Sequence, residues 1–103
     1  MFLQSYGNLL NRAKTPLNPD ADFVRWTRMF KPQVENRLNT RFNTFDAVQF
    51  TAHSLAGAIY KVKVSVGGDR YLHLTLFKPL PNSNEVEKVT HIEDGKTRED
   101  MLV

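Results

Sequence analysis

Gly57-Ala58-Ile59-Tyr60-Lys61-Val62-Lys63-Val64-Ser65-Val66-Gly67-Gly68-Asp69-Arg70-Tyr71-Leu72-His73-Leu74-Thr75-Leu76 alternates apolar and polar residues on both sides of a glycine pair. Tyr60, Val62, Val64 and Val66 fall on one face, Lys61, Lys63 and Ser65 on the other. Leu72, Leu74 and Leu76 then alternate with His73 and Thr75. A period of two marks half-buried strands. Gly67-Gly68-Asp69 is a tight-turn signal, and so short a link requires antiparallel pairing. Upstream, Val48, Phe50 and Ala52 alternate with Gln49 and Thr51. Downstream, Leu80-Pro81-Asn82-Ser83-Asn84 reads as a second turn, and Val86 to Ile92 as a last strand.

Before the strands the period is helical. Asn18 is placed to cap a helix, Pro19 suits its first position, and Asp20 and Asp22 oppose the positive end of its dipole. Phe23, Trp26, Phe30, Val34 and Leu38 follow at three- and four-residue spacing, with Arg25, Arg28 and Glu35 off the stripe. Pro32 inside this pattern predicts a kink or a local gap in the bonding. The stretch Asn39 to Thr44 closes the helix. One long helix followed by an antiparallel meander is an α+β fold, and the helix stripe is the only cover of sufficient length for the sheet's apolar face.

At 103 residues the chain is predicted to be a single domain, 1–103, with residues 1–17 as an arm carrying a short strand. It has no cysteine, which excludes a disulfide scaffold, a thiolate zinc site and a thiol nucleophile. No run approaches the roughly 18 apolar residues of a membrane span. Met1 to Tyr6 lack the basic start and apolar run of a signal peptide, so the expected location is cytoplasmic, with no membrane association. Net charge is +3, distributed as +4 over residues 1–45 and −1 over 46–103. The basic residues are scattered, which favours a solvated surface over a nucleic-acid face. His53, His73 and His91 have no partner ligand at helical or hairpin spacing, so neither a metal nor a cofactor is expected. Gly67-Gly68 lacks the Lys-Ser/Thr and the helix of a phosphate loop. Tyr71 and Phe77 bracket His73 and could stack on bases, but an outer-face cover for the sheet is the better reading.

From the residues alone the reading stops at a small α+β domain with no catalytic constellation. A resemblance carries it further. Gly57 to Val64, Tyr71-Leu72-His73-Leu74-Thr75-Leu76-Phe77-Lys78-Pro79-Leu80-Pro81, Lys31-Pro32-Gln33-Val34-Glu35 and Ala47-Val48-Gln49-Phe50 resemble, in turn, the strands and the helix end of the stefins, the type 1 cystatins. The resemblance covers about Phe23 to Glu93. It implies a cystatin-like fold, a five-stranded antiparallel sheet wrapped round one long helix. It also implies tight, reversible inhibition of papain-like cysteine proteases of the cathepsin type, and no enzymatic activity.

In that family an N-terminal arm with a glycine, a first loop of pattern Gln-x-Val-x-Gly and a second loop ending in Leu-Pro form a wedge. By position the first loop is His53-Ser54-Leu55-Ala56-Gly57, the second is Leu80-Pro81, and the arm residues are Ser5, Tyr6 and Gly7. Gly57 matches the family's glycine and Leu55 replaces valine. His53 replaces glutamine, bringing a side chain that changes charge near pH 6.5. The arm is a few residues longer than the family's. A monomer is expected, with a domain-swapped dimer open to it if the loop at His53–Gly57 straightens and the helix and first strand pair with a second copy. The alternative is a protein- or anion-binding module of the same fold whose inhibitory loop has diverged.

Overall fold

The computed structural model describes residues 15–54 and 56–103. The expected strand in the arm, the arm residues Ser5, Tyr6 and Gly7, and Leu55 of the first loop lie outside the described residues.

The architecture is α+β, but among the described residues it has two helices and four strands, where the sequence predicts one long helix and five strands. Helix α1 spans Ala21–Arg28 and α2 spans Lys31–Leu38. The break lies where Pro32 dictates it. Proline offers no N–H to the Arg28 carbonyl and its ring crowds that carbonyl. The chain therefore tightens at Met29 and Phe30, whose N–H groups donate to Trp26 and Thr27 at 3.1 and 3.0 Å, and α2 restarts with proline in its first turn. The cap also differs from expectation. Asp20, not Asn18, accepts from the Phe23 N–H at 2.8 Å, so Pro19 lies outside the helix. At the other end Asn39 closes α2 in a left-handed conformation, φ 53°.

The strands are β1 (Asp46–Ser54), β2 (Gly57–Ser65), β3 (Tyr71–Pro79) and β4 (Lys88–Lys96). They pair antiparallel in the order β1-β2-β3-β4, as the short links demand. Leu17 adds an isolated antiparallel bridge to Phe50, donating to its carbonyl at 2.8 Å and accepting from its N–H at 3.1 Å. Under the helices Val62, Val64, Leu72, Leu74, Leu76 and Val89 form one buried cluster with Phe30 and Val34. Val48 does not join them. A bulge between Ala47 and Gln49 turns it outward, to 37% exposure, and Ala47 takes the core position.

The opposite face of the sheet is not simply solvated. The C-terminal segment after β4 lies over it. The Lys63 ammonium donates to the carbonyls of Arg98 and Asp100, and that of Lys61 to the carbonyl of Val103 at 3.0 Å. Lys63, His73, Tyr71 and Leu102 are all buried. Tyr71 and His73 are therefore not a surface on which bases can stack. Burial pushes the Lys63 ammonium below its ordinary pKa, against the pull of Asp100 and Glu99.

His73 is buried with its Nε2 lacking a hydrogen-bond partner among the described residues. Burial lowers its pKa, Lys63 and Lys96 lower it further, and Glu93 and Asp100 offset them in part. A base whose folded pKa is depressed binds its proton first in the unfolded chain. Stability is therefore complete above about pH 6.5 and declines as pH falls from there towards the folded pKa. Urea unfolding at pH 7.5, 6.0 and 5.0 is expected to show this decline. His73→Gln, neutral throughout, is expected to flatten the slope by up to one proton; equal slopes in both proteins would refute the assignment.

Candidate functional site

Two hairpin connections meet at one end of the sheet. The first joins β1 to β2. The structure extends the strands further into it than the sequence suggests: His53 and Ser54 are the last residues of β1, paired with Ile59 and Ala58, and Gly57 is the first residue of β2. Of the five residues assigned to this loop, His53 is thus a half-buried strand residue, Ser54 and Ala56 are exposed, and Gly57 is half-buried. The turn needs a left-handed backbone, supplied by Ala56 at φ 53° and Gly57 at φ 126°. The latter is a conformation side-chain-bearing residues rarely adopt.

The second connection joins β3 to β4 and is longer than the turn read from sequence. It runs over residues 80–87, because β4 begins at Lys88 and not at Val86. Leu80 is 55% exposed, Val86 is 73% exposed, and Pro81 between them is exposed as well. Val86 is the apolar residue that sequence reasoning missed. With Val89, Thr90 and Ile92 it makes a β-branched run that looks like one strand, and nothing local says that pairing begins two residues later. The loop is held internally by the Ser83 N–H to the Leu80 carbonyl at 3.0 Å and the Glu85 N–H to Ser83 Oγ at 2.9 Å.

The β2–β3 register brings the two connections together. Gly57 pairs with Pro79, so the first loop ends beside the residue that precedes Leu80. The approach is close. A Cβ on Gly57 would lie 2.7 Å from the Lys78 carbonyl oxygen and 3.2 Å from both the Phe77 ring and the Pro79 α-carbon. The glycine has an internal reason to be there, beyond any approach to a partner. On the outer side Ile59, Thr75, Phe77, Glu85, Lys88 and Thr90 line a cavity of about 290 Å³. The Lys88 ammonium lies 5.8 Å from the Phe77 ring centroid, so Phe77 is not a bare stacking platform either.

Leu17 sits on the far side of β1 from β2. The bridge to Phe50 is antiparallel, so residues 15 and 16 lie on the side of Leu17 nearer the end of β1 that carries the first loop. Among the described residues no group of three His, Asp or Glu side chains could hold a metal ion. Among the described residues, this end of the molecule carries two adjacent hairpin connections with exposed apolar residues, Ala56 on the first and Leu80, Pro81 and Val86 on the second.

No protein-family profile matches the chain. Individual proteins do. It is 38% identical over 72 residues to Cystatin-A of Homo sapiens, covering 70% of this chain and 74% of that one. It is 35% identical over 72 residues to Leukocyte cysteine proteinase inhibitor 1 of Sus scrofa, covering 70% of each. It is 36% identical over 72 residues to Stefin-C of Bos taurus, covering 70% of this chain and 71% of that one.

The contact at Gly57 generates a prediction about stability. Gly57→Ala adds a Cβ against the backbone of β3 and forces alanine into an unfavourable φ. Strain of this kind costs about 1–3 kcal/mol. Chemical unfolding is expected to register a loss of that size, and amide shifts at Lys78 and Pro79's neighbours are expected to move. An unchanged midpoint would show that the two hairpins are not in register as described.

Proposed function

The chain belongs to the stefin, or type 1 cystatin, family, and from that membership we propose that it is a reversible, tight-binding inhibitor of papain-like cysteine proteases of the cathepsin type. The family is one of inhibitors and not of enzymes. The observation that supports this reading best is the pairing of Gly57 with Pro79, which sets the first-loop turn beside the exposed Leu80, Pro81 and Val86.

In this reading both hairpins enter the protease's active-site cleft together. Leu55 and Ala56 lead from the first hairpin and Leu80, Pro81 and Val86 from the second. Their burial contributes roughly 25 cal/mol per Å² of apolar surface. The first turn is short and tied to paired strands, so little of its entropy is lost on binding. No peptide bond of the wedge has to lie against the nucleophile, so the inhibitor is blocked from turnover by shape. His53 and Ser54 flank the tip, and Gly57 sets its angle. The arm, with Ser5, Tyr6 and Gly7, completes the wedge on the β1 side, where Leu17 bridges to Phe50. A monomeric, cytoplasmic protein belongs to the same proposal.

Titrating papain is expected to give stoichiometric loss of activity. Leu80→Asp, Val86→Asp and Leu55→Asp are each expected to raise the inhibition constant about thirtyfold or more, the effect of removing an apolar anchor worth about 2 kcal/mol. Thermal unfolding is expected to stay unchanged for the exposed Leu80 and Val86 variants. A folded parent that leaves papain fully active at micromolar concentration would overturn the proposal in favour of a binding module with a diverged loop.

A further inference from the structure

Trp26 on α1 satisfies more than the core. Its indole N–H donates to Glu87 Oε1 at 2.9 Å. Its ring lies 5.8 Å from the Lys78 ammonium. Lys78 stands two residues before Leu80, and Glu87 is the last residue before β4. Both feet of the second hairpin connection are therefore attached to one side chain of a different element. That side chain is itself fixed. Phe23, Phe30 and Tyr60 surround it with ring centroids 5.6, 5.2 and 5.3 Å away, mostly edge to face.

The loop has few other restraints. Within it the described residues show only the Ser83 and Glu85 N–H bonds, and residues 80–86 are all exposed. A solvent-exposed loop of this length loses entropy when a partner orders it, unless it is already held. The hydrogen bond to a carboxylate is charge-assisted and half-buried, which places it among the stronger kind.

We propose that Trp26 is a positioning residue for inhibition, clamping the Lys78 and Glu87 feet of the second hairpin connection so that Leu80, Pro81 and Val86 are presented in one arrangement before the protease arrives. The statement about inhibition rests on the function proposed above; the clamp itself is a property of the free protein. Trp26 touches no protease in this scheme. It acts by removing an ordering cost from the bound state.

The test compares the parent with Glu87→Ala, Glu87→Gln and Trp26→Phe. Backbone ¹⁵N order parameters are measured on the free proteins, and inhibition constants against papain are measured in parallel. In Glu87→Ala and Trp26→Phe the order parameters over residues 82–86 are expected to fall from about 0.85 towards about 0.6. Those of β2 are expected to hold in Glu87→Ala, with the urea midpoint lowered and unfolding still cooperative. Inhibition is expected to weaken about tenfold, the cost of ordering on binding a loop that is no longer held. Glu87→Gln keeps an acceptor oxygen without the charge and is expected to fall between the parent and Glu87→Ala in both readouts.

Unchanged order parameters in folded Glu87→Ala would overturn the clamp, whatever inhibition does. Weakened inhibition with an unchanged loop would do so too, since it would mean direct contact with the protease. If Trp26→Phe fails to fold, the two Glu87 variants decide the matter. If the parent does not inhibit papain, the proposed function fails while the order parameters still support or overturn the clamp.

Discussion

The pairing of β2 with β3 runs without interruption from Ser65 opposite Tyr71 to Gly57 opposite Pro79. The pairings on either side of it, β1 with β2 and β3 with β4, both carry bulges. This central ladder is the frame from which everything else takes its position. One end of it is closed by the Gly67-Gly68-Asp69 turn, with φ 93°, 60° and 61°. The other end opens into two separate hairpins whose relative placement is set by a glycine that cannot carry a Cβ. A slip of one residue would move every side chain to the opposite face. It would put Lys61 and Lys63 into the core and Val62 and Val64 outside it.

Helices α1 and α2 do two jobs against that frame. Phe30 and Val34 fill the apolar face over Val62, Leu72, Leu74 and Leu76. Arg37 ties α2 to the sheet by donating to the Val89 carbonyl at 3.0 Å. Phe23 stacks on Phe50 with centroids 4.1 Å apart, so α1 is held against β1. The break at Met29 and Phe30 divides the cover in two, with α1 against β1 and α2 against β4. Trp26, on α1, then reaches the second hairpin, so the cover that stabilises the core also bears on the end of the molecule proposed to meet a protease.

The second face of the sheet obeys a different chemistry. Lys63 and His73 are opposite each other on β2 and β3, both buried by a segment that contributes backbone carbonyls and Leu102. Two carbonyls can solvate an ammonium, but no carboxylate pairs with Lys63 among the described ion pairs. The exposed pairs elsewhere, such as Arg70 with Asp94 at 2.6 Å, contribute little by comparison. Charge on this face is therefore coupled to the closure of the C-terminal segment and to the protonation of His73.

The alternation of Tyr60 to Val66 and of Leu72 to Leu76, the glycine turn between them and the helical stripe before them are local patterns. Local sterics and burial make them legible, and with them the α+β class, the antiparallel order and the two hairpin loops. Pro32 announced a kink or a local gap in the bonding, and in the structure it separates two helices at Met29 and Phe30. Val48 and Val86 read as strand residues because apolar alternation says nothing about bulges or about where pairing starts. Those depend on the partner strand. Lys63, Tyr71 and His73 read as outward-facing, which they are, yet the carbonyls that hold the Lys63 ammonium lie 35 and 37 positions away in the chain. Gly57 was legible as the glycine of the first loop; that a Cβ there would meet the protein's own Lys78 carbonyl is a fact of register. The same holds for Trp26, whose indole finds Glu87 61 residues on. Periodicity along the chain specifies faces and turns. Which atoms meet across them follows from how the faces are packed, and that is a property of the tertiary structure.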